Sequence, residues 1–149
     1  MPALVINPRA RFDYKILEKY EAGLVLSGQE VKAIKSGRMS LRGSYVTIKN
    51  GEAFLIGAQI MPYQPKNTPE DYNPTQTRKL LLNKAEIKNL IGKIKQKRLT
   101  LVPVRVYTKH RKLKLEFGLG QGKRKYDKRE KIKKREDDRK IGRALRKKV

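Results

Sequence analysis

The last 28 residues of this chain, Gly122 to Val149, hold 15 Lys or Arg and five Asp or Glu. A segment so charged cannot bury enough apolar surface to fold alone. The core must therefore be built from roughly the first 122 residues, the length of one ordinary domain. The imbalance is also global. Across 149 residues the net charge is +24, of which +10 lies on residues 123–149 and +14 on residues 1–122. Charge of that density repels itself until a polyanion neutralises it, and nucleic acid and anionic membrane are the common polyanions.

The membrane alternative is weak. No apolar run approaches a membrane span, and the longest early one is only Ala3 to Ile6. Cysteine is absent, which removes disulfides and thiolate metal sites and fits a cytoplasmic protein. A single histidine, His110, rules out His-based metal clusters.

Two helix starts follow one rule. Ser27-Gly28-Gln29-Glu30 reads as a capping box, with Leu26 and Val31 spaced as a hydrophobic staple, and Gly37 marks the stop after Ser36. Asn83-Lys84-Ala85-Glu86 repeats the pattern between Leu82 and Ile87. Ile87, Leu90, Ile91 and Ile94 then form one apolar stripe of a helix running to Lys97.

The strands are as legible. Asn50-Gly51 is a strong type I′ hairpin signal between Ser44–Lys49 and Glu52–Gly57, and it sets Lys49 opposite Glu52. Leu99–Thr108 and Leu113–Leu119 form a second pair, joined by the basic loop Lys109-His110-Arg111-Lys112. Pro103 predicts an edge or a bulge in the first of these. Tyr14–Leu17 and Gly23–Leu26 are two further short strands. Between Pro62 and Arg78 lie four prolines and little apolar besides Tyr63 and Tyr72, a length of loop that is usually functional or disordered. Five or six strands, two helices and no βαβ alternation predict an antiparallel α+β domain. Edge protection favours a small, nearly closed barrel with the Asn83–Lys97 helix over one open end.

Catalytic chemistry finds no constellation. Glu30 and Glu86 are caps, the other acids of the body are scattered, and no nucleophile–base pair is visible, so no enzyme and no cofactor are expected. Phosphate binding is better supported. Arg9, Arg11, Lys32, Lys35, Arg38, Arg42, Arg78, Lys79 and Lys84 fall near element ends, and Phe12, Tyr14, Tyr45, Phe54 and Tyr107 are rings that either stack on bases or fill the core. Leu80-Leu81-Leu82 is anomalous, because a strand cannot turn successive leucines to one face. Either one faces a partner or the strand is buried on both sides.

In the tail, Asp127–Lys131, Glu130–Lys134 and Glu136–Lys140 are i, i+4 pairs with the acid first, together contributing about 1 kcal/mol to a helix. Helix nucleation and Gly142 oppose them at similar size. The balance predicts a tail that is unfolded when free and helical beside a polyanion.

Several stretches are specific enough to carry a resemblance: "NPRARFDY", "YEAGLVLSGQEVKAIKSGR", "GSYVTIKNGEAFLIG", "TRKLLLNKAEI" and "GKRKYDKRE". In this order they resemble the small protein B family, the bacterial SsrA-binding proteins. The resemblance implies an oligonucleotide-binding (OB-like) β-barrel over residues 1–122 and a basic C-terminal tail over residues 123–149. It implies binding to the tRNA-like domain of transfer-messenger RNA (tmRNA) and its delivery to the A site of stalled ribosomes, the ribosome-rescue process called trans-translation. The tail would enter the decoding centre and vacant mRNA channel of the small subunit, and elongation factor Tu would be met only indirectly, through alanyl-tmRNA. The chain would act as a monomer.

By motif, the resemblance implies RNA binding by Glu30, Leu81 and Asn83, to which Lys32, Arg38, Arg11, Arg78 and Lys79 are added as phosphate contacts. It implies a hinge at Gly122 and engagement of ribosomal RNA by Tyr126, Asp127, Lys128, Arg129, Lys133, Lys134 and Arg135. Phe12 stands where relatives often have His, and "GLGQGK" differs from the commoner "GLARGK". A structural ribosomal protein, or another basic OB-fold translation factor, is the alternative.

Overall fold

The computed structural model describes residues 3–97 and 99–123. Within them nine strands and three α-helices follow in order: β1 (Ala3–Ile6), α1 (Ala10–Asp13), β2 (Tyr14–Leu24), α2 (Gly28–Lys35), β3 (Met39–Ser40), β4 (Tyr45–Lys49), β5 (Glu52–Ile56), β6 (Gln59–Ile60), β7 (Arg78–Leu81), α3 (Lys84–Lys97), β8 (Thr100–Lys109) and β9 (Lys112–Gly122). Every strand pairing is antiparallel. The main sheet runs β1-β8-β4-β5-β7-β2-β9, and β9 pairs back onto β8. The pairings thus pass round a ring of six strands with β1 added outside, which leaves few open edges. This mainly antiparallel, OB-like ring with few helices is the fold class expected from the sequence.

Local chemistry explains the elements. Asn50 and Gly51 both take positive φ, 54° and 74°, as a type I′ turn requires, and the expected register follows with Lys49 opposite Glu52. In the capping box the Glu30 amide donates to Ser27 Oγ and the Ser27 amide to Glu30 Oε1, both at 3.2 Å. At the start of α3 the Glu86 amide donates to Asn83 Oδ1 at 2.8 Å. The reciprocal bond differs from a capping box: Glu86 Oε1 accepts from the Asn83 side-chain amide at 2.7 Å, because an asparagine offers its own N–H there. The α3 stripe buries Ile87 and Leu90, and the core gathers Ile34, Leu55, Leu80, Leu115, Phe117 and Leu119. Each such side chain contributes about 1.5–3 kcal/mol on leaving water.

Several expectations are corrected. The two short strands at Tyr14–Leu17 and Gly23–Leu26 are one 11-residue strand, β2, that pairs with β9 along nearly its whole length. Its polar middle hid the continuity, because Glu18, Lys19 and Glu21 read as a break. A register shift between Ile16 and Glu18 lets Leu17 bulge outward. The basic loop between β8 and β9 is tighter than four residues. Lys109 pairs with Lys112, and only His110 and Arg111 turn the chain, at φ 52° and 64°. β1, α1, β3 and β6 are too short for a periodic signal. Pro103 does lie at a bulge: the register shifts between Pro103 and Arg105, and buried Asn7 collects the freed carbonyls, through Nδ2 to Pro103 and its amide to Val104.

The proline-rich loop is tied down. Pro65–Asn67 forms a single 3-10 turn, the Ile60 amide donates to the Pro74 carbonyl, and the Tyr72 hydroxyl donates to the Ile60 carbonyl at 2.9 Å.

Candidate nucleic-acid interface

Alternation along β7 sorts its residues. Arg78 and Leu80 point inward and Lys79 and Leu81 outward. The leucine puzzle resolves there: Leu80 enters the core while Leu81 is left 56% exposed on the outer face. Val25, whose amide donates to the Lys79 carbonyl, is a neighbouring exposed aliphatic. Asn83 lies two residues beyond Leu81, exposed at the α3 cap. Lys79 reaches Glu52 of β5, Nζ to Oε1 3.5 Å, and keeps about half its side chain in solvent.

Glu30 and Arg78 are placed differently from the other candidates. Both are buried, and they face each other: Arg78 Nη2 and Nε donate to Glu30 Oε2 at 2.7 and 3.0 Å. Arg78 Nη1 donates to the Ala58 carbonyl at 2.7 Å, and Gln76 Nε2 donates to Glu30 Oε2 at 3.3 Å. Burial alone would raise the Glu30 carboxyl, but the Arg78 guanidinium and the Ser27 amide outweigh it and hold it below the usual carboxylate range. A guanidinium enclosed this way has no free face for a phosphate. The pair instead fastens α2 and the proline-rich loop to β7, the strand that presents Leu81. A cleft of about 260 Å³ opens beside it between Tyr63, Pro69 and Tyr72. Tyr72 and Gln76 were not singled out from sequence as partners of Glu30, since contacts 42 and 46 residues apart leave no local pattern.

The remaining candidates divide between two regions. Lys32 is exposed on α2, and Arg38 just beyond it donates from Nη1 to the Pro62 carbonyl at 3.1 Å. Arg11 sits on α1 before Tyr14, at the opposite end of β2 from Gly23, the residue paired with Leu81. Among the stacking candidates Tyr45 is exposed, Tyr107 is buried, and Phe12 carries the Arg9 guanidinium 4.6 Å from its ring centre. Gly122 is paired with Tyr14 in the β2–β9 ladder. Lys123 is held next to it, its amide donating to the Asp13 carbonyl and its Nζ to the Arg11 carbonyl. Tyr126, Asp127, Lys128, Arg129, Lys133, Lys134 and Arg135 lie outside the described residues. Among the described residues no group of three or more His, Asp or Glu could hold a metal ion.

An antiparallel ring whose outer face carries Lys79 and the exposed Leu81 on one strand defines a small β-ring domain of the OB-like class. More narrowly, the chain belongs to the SmpB protein family, whose pattern it matches over residues 4–147. It is 48% identical over 139 residues to the SsrA-binding protein of Thermosynechococcus vestitus, covering 93% of this chain and 91% of that one. To the SsrA-binding protein of Acetivibrio thermocellus it is 52% identical, covering 93% and 90%. A solved structure described as "tmRNA-SmpB: a journey to the center of the bacterial ribosome" superposes with a TM-score of 0.68 at 42% identity, over 89% of this chain and 95% of that one.

Proposed function

We propose that this protein binds tmRNA through the face carrying Leu81 and Asn83 and brings it to stalled ribosomes in trans-translation. The observation that carries the reading is the outward Leu81, exposed on the same face of β7 as Lys79 and close to the Asn83 cap, in a chain 42% identical to a tmRNA-associated relative. Phosphate contacts from the lysines supply affinity, while Leu81 and Asn83 meet bases and sugars exposed in the folded tRNA-like domain. Glu30 and Arg78 act from inside, holding β7 and α2 in register beneath that surface. Residues 123–149 form a second functional part, a cationic segment that occupies the decoding centre and the empty mRNA channel, so mRNA and tail compete for one groove. Work at the ribosome places the protein in the cytoplasm.

Equilibrium binding to the tRNA-like domain transcribed in vitro tests the reading. Leu81→Ala should weaken binding about tenfold or more with a stability change within about 0.5 kcal/mol, as for an exposed side chain. Asn83→Ala should weaken binding and also lose about 1 kcal/mol from the cap. Failure of the unaltered protein to prefer this RNA over an unrelated hairpin of equal length overturns the reading.

A further inference from the structure

The lysines of α3 are sorted by face. At about 100° per residue, Lys84, Lys88, Gly92 and Lys95 fall within about 80° of the helix circumference, and all four are exposed. Along the axis they span about 16 Å, at about 1.5 Å per residue, starting at the residue after Asn83. Lys93 stands on the opposite side and is held there, its Nζ donating to Glu18 Oε2 and to the Tyr20 hydroxyl. Among the described residues, Lys84, Lys88 and Lys95 have no acid within ion-pair distance. The sequence of α3 holds one acid, Glu86, and its carboxylate accepts from the Asn83 side-chain amide.

Two features of this face work against the helix itself. Lys84 and Lys88 are i, i+4 neighbours of like charge, which repel where an acid–base pair would attract. Gly92 sits in the helix interior, where only proline is a poorer former. Nothing within the fold calls for it: its φ is not positive, and a Cβ built on it would meet no atom of the surrounding structure within 4 Å. A glycine that packs against nothing of its own chain leaves helix backbone bare, which serves a close approach from outside.

We infer that this face of α3 lies along the sugar–phosphate backbone of a paired stem in the same tRNA-like domain, with Lys84, Lys88 and Lys95 on successive phosphates and the strand passing closest at Gly92. The assignment rests on the reading of Leu81 and Asn83 as the tmRNA surface and continues that surface past the cap. Lysine ammonium groups are point charges that suit phosphates. No aromatic ring stands in this sector to stack an unpaired base, so the contact follows the shape of a duplex and not its sequence. Leu81 and Asn83 meet unpaired nucleotides at one end of the helix, and the lysines fix the angle at which the adjoining stem leaves.

The test is equilibrium binding of the full-length protein to the in vitro transcribed tRNA-like domain across a salt series, with thermal unfolding of each variant. Lys88→Gln with Lys95→Gln should lower affinity about tenfold at physiological salt and reduce the slope of log affinity against log salt by roughly one to two. Lys15→Gln with Lys19→Gln removes the same charge from exposed positions on β2 and should leave the slope unchanged. Gly92→Gln should melt no lower than the unaltered protein, because glutamine is the better helix former, yet bind several-fold more weakly with the slope unchanged. The chain has no cysteine, so Lys88→Cys carrying an iron chelate gives a single source of hydroxyl radicals, and the cuts should fall on a paired stem. An unchanged slope in the α3 pair, or an equal fall in the β2 pair, overturns the phosphate contact. Gly92→Gln that binds as tightly as the unaltered protein overturns the close approach, and cuts confined to unpaired loops overturn the stem. Absence of binding by the unaltered protein would instead strike the functional reading above.

Discussion

Glu30 Oε2 lies 2.7 Å from Arg78 Nη2, and side-chain exposure is 5% and 2%. A buried pair of this kind is not a strong net stabiliser against an apolar replacement, but removing one partner strands the other charge. Glu30→Ala should therefore cost about 3–5 kcal/mol, and Glu30→Ala with Arg78→Met should be less destabilised than Glu30→Ala alone. Urea unfolding of the single and double variants measures this. The Glu30 carboxyl is held below its ordinary value of 4.5, so its contribution is fully present above that pH and is lost as pH falls through the lower, folded value. The stability of the unaltered protein should drop below about pH 4.5, with Glu30→Ala showing a shallower acid limb.

Tyr107 and Glu21 form another coupled pair, the buried phenol donating to the carboxylate between strands β8 and β2. Burial first, and the Glu21 bond after it, push the phenol up to about 12, while the same bond lowers the Glu21 carboxyl. A raised folded value means the stabilisation is complete below the free phenol's 10 and disappears as pH rises toward 12. Tyr107→Phe should move the Glu21 carboxyl back toward its ordinary value. Carbon-detected NMR titration of Glu21 reads it directly, and an unmoved carboxyl would contradict the contact.

Two glycines of β9 should behave oppositely. A Cβ at Gly118 would lie 2.6 Å from Ile16 Cγ2 and 2.9 Å from the Glu18 carbonyl oxygen, where the β2 bulge folds over it. Gly118→Ala should destabilise by about 1–3 kcal/mol, since backbone cannot move aside as a side-chain tip can. Gly122 has open space and no positive φ, so Gly122→Ala should leave the melting midpoint nearly unchanged. Any effect of Gly122→Ala on ribosome rescue would then report on the hinge expected at this position and not on the stability of the sheet ring.

Deleting the chain after Arg124 should leave affinity for the tRNA-like domain within a few-fold, since Leu81, Asn83 and their cations are untouched. The same truncation should abolish peptidyl transfer to tmRNA on stalled ribosomes. Transfer assays with purified ribosomes and charged tmRNA distinguish the outcomes, and full transfer by the truncated protein would refute a role for the tail in the channel.

Much of the fold was legible where a signal is local. Ser27 with Glu30, Asn83 as a cap, the Asn50-Gly51 turn and the Pro103 bulge all depend on a few neighbouring residues. The unity of β2 was hidden because its middle, Glu18 to Glu21, carries exposed or half-exposed polar side chains that resemble a loop, and only pairing with Leu119 to Glu116 reveals a strand. The candidate site was legible in part. The Leu80-Leu81-Leu82 run showed that successive leucines could not share one face, and the resemblance pointed to Leu81, whereas the inward turn of Arg78 depended on the β7 face that meets the core.

The order of residues by itself determined where helices begin and where hairpins turn, because capping and turn geometry act over a few bonds. Tertiary structure alone decided that Glu30 and Arg78 meet across 48 residues, that Leu81 is the leucine left outside, and that Gly23 lies between Leu81 and Lys114. Those relations follow from the register of strands closing a ring, and register is set by the collective burial of one face, which no single stretch of sequence contains.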